Sequence, residues 1–216
     1  MYHSNDKHRL LYKFLIKFIS PLILNIFVKK IKNYENLERE RAFIIASNHA
    51  SLLDSPIVAS IFAIKFKRKI HFIGKEETFR NFFGRLIQET AGTIKLENDK
   101  GKLALKIAEN YLKKGKIIGI FPEGERSYNG RLLKAKTGVA RLAISSKVPV
   151  LPIAIKGTQK LMPRGHTFPK FRKEVTVNIG KFLYFDKHGK KPSKKFYREI
   201  TNKIMKNIET LMKIKS

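Results

Sequence analysis

The stretch "AFIIASNHASLLDSPIV", residues 42–58, decides the fold. An apolar run rich in isoleucine ends abruptly in polar residues at His49, which is typical of a buried strand. Residues 56–66 predict a helix that has Asp54 or Ser55 as its cap and a proline in its first turn. The stretch therefore predicts a buried strand, a polar loop that carries a histidine and an aspartate, and then a helix.

Strands and helices alternate through the rest of the chain. Strands are predicted at residues 70–73, 93–96, 117–121, 150–155 and 174–179. Helices are predicted at residues 76–89, 99–114, 138–146 and 193–214. This alternation is typical of a single-domain α/β sandwich with a largely parallel sheet. In such sheets, binding sites form at the carboxyl ends of the strands.

The composition allows one domain with a sizeable core and indicates an anionic partner. The chain has 216 residues, 43% of them hydrophobic, with 46 Lys and Arg against 17 Asp and Glu, for a formal net charge of +29. Such a charge attracts nucleic acid, an anionic membrane surface, or phosphorylated substrates and carriers. The chain has no cysteine, which excludes disulfides, a thiolate nucleophile and cysteine-ligated zinc.

The N-terminal segment predicts a helix that lies in a membrane interface. Residues 10–28 are apolar, but Lys13 and Lys17 interrupt them, and the uncharged part is short for a membrane span. The apolar side chains fall on one broad helical face, with the two lysines opposite. The alternative is a helix packed on the domain's own core. We therefore divide the chain into an N-terminal membrane-associating segment, residues 1–35, and a domain, residues 36–216. Basic residues for anionic headgroups follow the helix at Lys29, Lys30 and Lys32.

A second polar cluster, "GIFPEGERSYNG" at residues 119–130, follows another predicted strand. Gly124 permits a sharp turn, and Arg126 offers a planar fork that suits a phosphate. Glu123 is suited to accept from a substrate hydroxyl or to hold the arginine in place. The alternative is a surface turn with a local ion pair. His49 and Asp54 have a comparable alternative, a loop histidine followed by a helix cap.

The motifs occur in a distinctive order along the chain. The pattern N-H-x4-D comes first, F-P-E-G-x-R-S follows some 70 residues later, and "VPVLPIAI" follows at residues 148–155. This ordered set resembles the glycerophospholipid acyltransferase family, whose best-known members are the 1-acylglycerol-3-phosphate acyltransferases. The resemblance extends from about residue 42 to residue 180.

The resemblance implies a role for each matching residue. It implies that His49 is the catalytic base and that Asp54 is the acid that orients it. It also implies that residues 121–127 bind the glycerol phosphate of the acceptor. The residues that we expect to bind substrate are Asn48, Lys75, Lys95, Glu123, Gly124, Arg126 and Ser127.

Two positions depart from the family's pattern. Glu125 stands where the family commonly has threonine, and a negative charge there is expected to alter acceptor choice. Asn98 stands where an arginine that helps to hold phosphate is expected. Lys95 is a candidate substitute if its strand points it inward, and Lys75 is another.

The implied reaction moves a fatty acyl group from a thioester, acyl-CoA or acyl carrier protein, to the free hydroxyl of a lysophospholipid. The expected acceptor is 1-acylglycerol-3-phosphate, which gives phosphatidic acid. His49 would take the hydroxyl proton, so no enzyme nucleophile is required. The sequence does not identify the group that stabilises the oxyanion, for which backbone amides near the His49 loop are one candidate. We expect no cofactor or metal beyond the acyl donor. The expected location is peripheral, on the cytoplasmic face of the membrane.

Other interpretations stay open at this point. The same fold can act on a different lysolipid or amphipathic alcohol, act as a hydrolase or transacylase, or lack activity. A basic protein that binds membrane or nucleic acid without catalysis is a further alternative, although we expect no nucleic-acid partner, because the chain has no recognisable motif of that kind. No two of the six histidines have the spacing of a helical metal site, which argues against a metallohydrolase.

Overall fold

The computed structural model describes residues 6–36, 41–75, 90–96, 101–166, 168–186 and 192–214. Within them, seven strands form one sheet. The strands are β1 Val28–Lys32, β2 Phe43–Ser47, β3 Ile70–Lys75, β4 Ile94–Leu96, β5 Ile117–Ile120, β6 Val150–Lys156 and β7 Val175–Ile179. Their order across the sheet is β1-β7-β6-β2-β5-β3-β4.

The sheet is mostly parallel, as the sequence predicts. Strands β6, β2, β5, β3 and β4 run in one direction. Strand β7 is antiparallel to β6, and β1 pairs in parallel with β7, so these two strands run the opposite way. Strand β2 lies in the middle, between β6 and β5, which explains why its residues are apolar on both faces.

Helices cover both faces of this sheet. They are α1 Asp6–Phe14, α2 Ser20–Phe27, α3 Asp54–Phe66, α4 Gly101–Lys113, α5 Gly138–Ser146, α6 Thr158–Leu161 and α7 Lys194–Lys213. A π-helical turn, Leu15–Ile19, joins α1 to α2, and a 3-10 turn, Tyr34–Asn36, follows β1. The helix predicted at residues 76–89 lies outside the described residues.

Two hydrophobic cores separate the layers. One core joins α2 and α3 to the sheet, and the other joins α4, α5 and α7 to the opposite face. Successive side chains of strand β2 point to opposite faces of the sheet, so that Phe43 and Ile45 enter the first core and Ile44 and Ala46 enter the second. The α/β sandwich predicted from the sequence is therefore confirmed as three layers.

The N-terminal segment shows one feature that the sequence did not predict and one that bears on the membrane prediction. Val28–Lys32 is a strand of the sheet, so the stretch assigned to membrane association also supplies β1, with its three lysines in that strand. In addition, Leu10–Phe27 is long and apolar enough to cross a membrane by length and composition, with a mean hydropathy of 1.7 over 18 residues. That window includes Lys13 and Lys17, and whether the segment lies in the membrane interface or crosses the membrane stays a prediction. The division at residue 35 stays a prediction.

The start of α3 also differs from the prediction. Neither Asp54 nor Ser55 caps the helix: Leu53 precedes its first turn, and Asp54 is the first helical residue. The Asp54 carboxylate instead turns back toward the preceding loop, where it accepts backbone N–H groups from Ala50 and Ser51. This leaves Asp54 beside the histidine of the same loop.

Candidate active site

Three neighbouring strands bring the polar motifs together at one edge of the sheet. The His49 loop follows β2, and the residue 121–133 loop follows β5, which is the next strand across the sheet. The carboxyl end of β6 lies on the other side of β2. Because the three strands are parallel, their carboxyl ends meet at the same edge, where α/β folds form their sites.

His49 and Asp54 form a hydrogen-bonded pair in this position. His49 Nδ1 lies 2.8 Å from Asp54 Oδ2, and the same oxygen accepts the N–H groups of Ala50 at 2.7 Å and Ser51 at 2.8 Å. Asp54 is fully buried, whereas the His49 side chain is 17% exposed. A buried carboxylate held by backbone donors fixes the proton on Nδ1, so Nε2 is the nitrogen that can accept a proton from a substrate.

An aromatic stack fixes the plane of the imidazole. The rings of His49 and Phe121 lie 3.9 Å apart between centroids and within 10° of parallel. Phe121 stacks in turn on Phe72 of β3, at 5.6 Å. The sequence analysis gave Phe121 no role of its own. Its position directly after β5, at the edge of the sheet where sites form, is the signal that could have identified it.

Glu123 links the His49 loop to the loop that follows β5. Its Oε1 accepts the N–H of His49 at 2.7 Å, and its Oε2 accepts the N–H of Leu133 at 2.6 Å. Its exposed fraction is only 3%, and this burial raises the pKa of the carboxyl to about 7, against the opposing effect of the two N–H donors. Glu123 thus contacts the backbone, whereas the sequence analysis expected a substrate hydroxyl or Arg126 as its partner.

Asn48 makes a similar link on the other side of the His49 loop. Its Nδ2 donates to the carbonyl oxygen of Ile155 and its Oδ1 accepts the N–H of the same residue, both at 2.8 Å. The side chain is buried, and it extends the pairing of β2 with β6 by one step. Asn48 is therefore placed to hold the loop, and its predicted contact with substrate stays a prediction.

The turn after β5 is tight. The N–H of Gly124 donates to the carbonyl oxygen of Phe121, and Gly124 has a φ of +75°, in the left-handed region that favours glycine. A Cβ at Gly124 would meet the Lys136 side chain at 3.2 Å. Ser127 is buried and donates its N–H to the carbonyl oxygen of His49. The turn is thus bonded directly to the histidine that it faces.

Two guanidinium groups lie beside this turn. Arg164 Nη1 donates to the carbonyl oxygen of Arg126 at 3.0 Å and lies 3.3 Å from the carboxylate of Glu125. Its guanidinium also stacks over the Tyr128 ring at 4.4 Å. Burial and the positive charge of Arg164 both lower the pKa of Arg126. The sequence analysis missed Arg164, because it lies 38 residues beyond Arg126 and in no recognised motif.

The lysines proposed as substitutes for the missing arginine lie toward the far side of the sheet. Lys95 is exposed on the edge strand β4, three strands from β2, which is about 14 Å at ordinary strand spacing. It is thus not pointed inward as the sequence analysis required. The backbone of Lys75 ends β3, between β5 and β4, and Asn98 lies outside the described residues. The predicted roles of both lysines stay predictions.

The backbone amides nearest the histidine are already occupied. The N–H groups of His49, Ala50 and Ser51 donate to Glu123 or Asp54. These three candidates for the oxyanion donor are therefore engaged within the protein. In the described part of the chain, no cluster of three or more His, Cys, Asp or Glu side chains suited to a metal ion is found.

The fold and the site together define an α/β enzyme with a His–Asp pair at the carboxyl ends of parallel strands, beside a turn flanked by cations. This chain belongs to the acyltransferase family, whose model matches residues 28–156. The matched region holds the His49 loop, the turn after β5 and β6. The protein is thus an acyltransferase, as the sequence resemblance implied.

Individual relatives agree with this family. The chain is 26% identical over 186 residues to the 1-acyl-sn-glycerol-3-phosphate acyltransferase of Bacillus subtilis, covering 84% of this chain and 87% of that protein. It is 30% identical over 184 residues to the chloroplastic enzyme BAT2 of Brassica napus, covering 83% of this chain but 52% of that one. Among solved structures, it is similar to PlsC from Thermotoga maritima, with a TM-score of 0.72, 27% identity, and coverage of 100% of this chain and 86% of that chain.

Proposed function

We propose that the protein transfers a fatty acyl group from a thioester donor to the free hydroxyl of 1-acylglycerol-3-phosphate, giving phosphatidic acid. The single observation that carries the proposal is the buried His49–Asp54 pair beside the cationic turn after β5. The names of the relatives from Bacillus and Brassica support the same acceptor. The donor is acyl-CoA or acyl carrier protein, both of which suit a chain with a net charge of +29.

The reaction needs one proton acceptor and no covalent enzyme intermediate. Nε2 of His49 accepts the proton of the acceptor hydroxyl as its oxygen attacks the thioester carbonyl. Asp54 holds the imidazole in the required tautomer and stabilises the imidazolium that forms. The C–S bond then breaks, and the leaving thiolate takes the proton from the imidazolium. The stack of His49 on Phe121 keeps the ring fixed through both transfers.

The acceptor's phosphate is proposed to bind beside the turn after β5. Arg126 lies three residues beyond the buried Glu123 and is half-buried, so its guanidinium is partly desolvated before a ligand arrives. Arg164 adds a second guanidinium and offsets the charge of Glu125. Two forked cations next to each other suit a dianionic phosphate. We propose that Arg164, rather than Lys95 or Lys75, compensates for the arginine that the family has at Asn98.

The N-terminal helix is proposed to lie in the interface of an anionic membrane. Its large exposed side chains are spaced by four and form a stripe: Leu10, Phe14, Phe18 and Leu22. A spacing of four drifts around an α-helix of ~3.6 residues per turn, and the wider π-helical turn at Leu15–Ile19 offsets that drift. The opposite side of α2 packs on the first core, so one face is left for lipid. The cytoplasmic side is expected, because the acyl donors are there.

The test offers the purified chain radiolabelled acyl-CoA or acyl carrier protein with a panel of lysolipids in detergent. We expect phosphatidic acid as the product, and we expect Asp54→Asn to lower turnover by about 10²-fold or more because imidazole can then adopt the wrong tautomer. Asp186→Asn, at an exposed aspartate, is the matched control. Free fatty acid as the product would identify a hydrolase. A preference for another lysolipid would leave the reaction standing and overturn the acceptor.

A further inference from the structure

A second exposed apolar surface lies beside the active site, outside the N-terminal helix. The segment "FPKFRK", residues 168–173, alternates aromatic and basic side chains. Phe168 is 81% exposed and Phe171 is 76% exposed. Lys170, Arg172 and Lys173 are exposed as well. Large aromatic side chains are rarely left in water in such a pattern unless they bind something.

This segment is tied to the catalytic loop and to the end of the N-terminal helix. Before the segment, Ser51 Oγ donates to the carbonyl oxygen of Met162, and Arg164 donates to that of Arg126. Within the segment, the N–H of Lys170 donates to the carbonyl oxygen of Leu161. At its end, the ring of Phe171 stacks on that of Phe27, the last residue of α2, at 6.0 Å. Residues 161–164 and 168–173 thus connect the His49 loop to the helix that carries the exposed stripe.

We propose that the aromatic–basic segment, residues 168–173, is a second membrane-docking element that inserts its phenylalanines into an anionic bilayer surface next to the active site. Three observations favour a bilayer over a folded partner. The segment is continuous with the helix whose exposed stripe is proposed to face lipid. Its aromatic side chains alternate with cations, which suits a headgroup layer above an acyl layer. In addition, Leu52, inside the His49–Asp54 loop, is a further exposed apolar side chain.

This inference deepens the proposed function, because it states how a bilayer acceptor reaches His49. With a second contact between the helix and the His49 loop, the histidine faces the interface in which the acceptor's hydroxyl lies. A helix alone would attach the protein to the bilayer but would leave the orientation of the site about the helix axis unspecified. The segment supplies the second line of contact that fixes this orientation.

The chain has no tryptophan, so a single introduced indole reports its own surroundings. We would prepare Phe168→Trp, with Tyr184→Trp as the matched control. Tyr184 is also a highly exposed aromatic residue, and it follows Leu183, which bridges to Val150 at the opposite end of β6 from the site. Vesicles of phosphatidylglycerol and phosphatidylcholine would carry phosphatidylcholine brominated on its acyl chains, which quenches indole only on close contact.

We expect the indole at position 168 to be quenched and blue-shifted on these vesicles, and the indole at 184 to be unaffected. We also expect Phe168→Ala to lower the vesicle partition coefficient about tenfold, and the Lys170→Glu/Lys173→Glu double variant to remove part of its salt dependence. Bound protein in which residue 168 is not quenched overturns the proposal, as does failure of the chain to float with vesicles at all. A rise in KM for acyl carrier protein in the double variant, at unchanged vesicle partition, would overturn it in favour of a carrier-docking site.

The same variants separate this proposal from the acyl-transfer reaction. Turnover on detergent-dispersed acceptor does not require docking, so Phe168→Ala should keep near-wild-type rates there and lose activity on vesicle-embedded acceptor. Absence of transfer by the wild type in detergent would contradict the proposed function while leaving the quenching result to stand on its own. Equal activity of Phe168→Ala and wild type on vesicles would contradict the docking segment.

Discussion

Glu123→Gln tests whether the His49 loop is held by a buried carboxyl. In the wild type, the pKa of Glu123 is raised to about 7 in the folded protein, from 4.5 for a free carboxyl, chiefly by burial. The folded state then binds more protons than the unfolded state between these two values, so stability falls as pH rises from about 4.5 through about 7. At 1.36 kcal/mol per unit, the difference amounts to roughly 3 kcal/mol. A glutamine has no charge to bury and is free of this dependence.

We expect the stability of the wild type relative to Glu123→Gln to decline by that amount between pH 4 and pH 8. Urea denaturation followed by circular dichroism at a series of pH values measures it, with the exposed Glu209→Gln as control. A relative stability that is flat or that rises with pH would show that the two backbone N–H bonds outweigh burial, and would refute the reasoning.

The same substitution separates positioning from substrate contact. A glutamine offers one acceptor oxygen to two N–H donors at 2.7 and 2.6 Å, so either His49 or Leu133 loses its partner. An unsatisfied buried donor costs about 1–3 kcal/mol, which is enough to shift the loop. We expect kcat to fall at least about tenfold, with the KM for the lysolipid within twofold of wild type. A raised acceptor KM at unchanged kcat would instead restore the substrate contact that the sequence suggested.

Three further predictions concern the acceptor, the turn and the helix. Arg126→Ala should raise the KM for the lysolipid more than tenfold and leave the KM for the thioester donor unchanged, since a charge-assisted bond contributes about 1.5–3 kcal/mol. Steady-state kinetics measures both constants, with Arg131→Ala, at an exposed arginine, as the control. Equal losses for both substrates would show that Arg126 does not bind the phosphate. Gly124→Ala should lower the free energy of unfolding by about 1–3 kcal/mol in urea titrations because of its positive φ, and an unchanged midpoint would contradict the strain. The Phe18→Gln/Leu22→Gln double variant should float poorly with anionic vesicles while keeping its circular dichroism spectrum. Unchanged flotation would contradict the proposal that this stripe contacts lipid.

The sheet was predictable because most of its strands are short apolar runs between polar residues. The runs that became β2, β5 and β6 were all located to within a residue or two at either end. Strand β1, "VKKIK", was missed because three of its five residues are lysines, and it forms at the edge of the sheet through pairing with β7. Lysine suits an edge strand in water, but it hides the strand from any search for apolar runs.

The site was only partly predictable, for a different reason. The sequence predicted roles for His49, Asp54 and Arg126 because of the chemistry of their side chains and the distinctive order of their motifs, and the structure brings these residues to one edge of the sheet. Their roles in the reaction stay predictions. The sequence did not predict the hydrogen bonds of Asn48 and Glu123, since these side chains bond to backbone groups that every residue has. The type of the partner residue does not indicate a hydrogen bond to its backbone N–H or carbonyl oxygen, so only the structure reveals such a bond.

The junction between α2 and β1 has a consequence for how the protein searches for its substrate. Phe27 ends the helix and Val28 begins the strand, with no residue between them. A helix lying on a bilayer would therefore hold the sheet in a fixed orientation, whereas a flexible linker would allow the domain to reorient relative to the membrane. On the proposed function, the enzyme would then meet its acceptor by lateral diffusion in two dimensions, and we expect its rate to depend on the surface density of lysolipid rather than on its bulk concentration. Dilution of the acceptor with inert lipid at constant total acceptor should thus slow the enzyme.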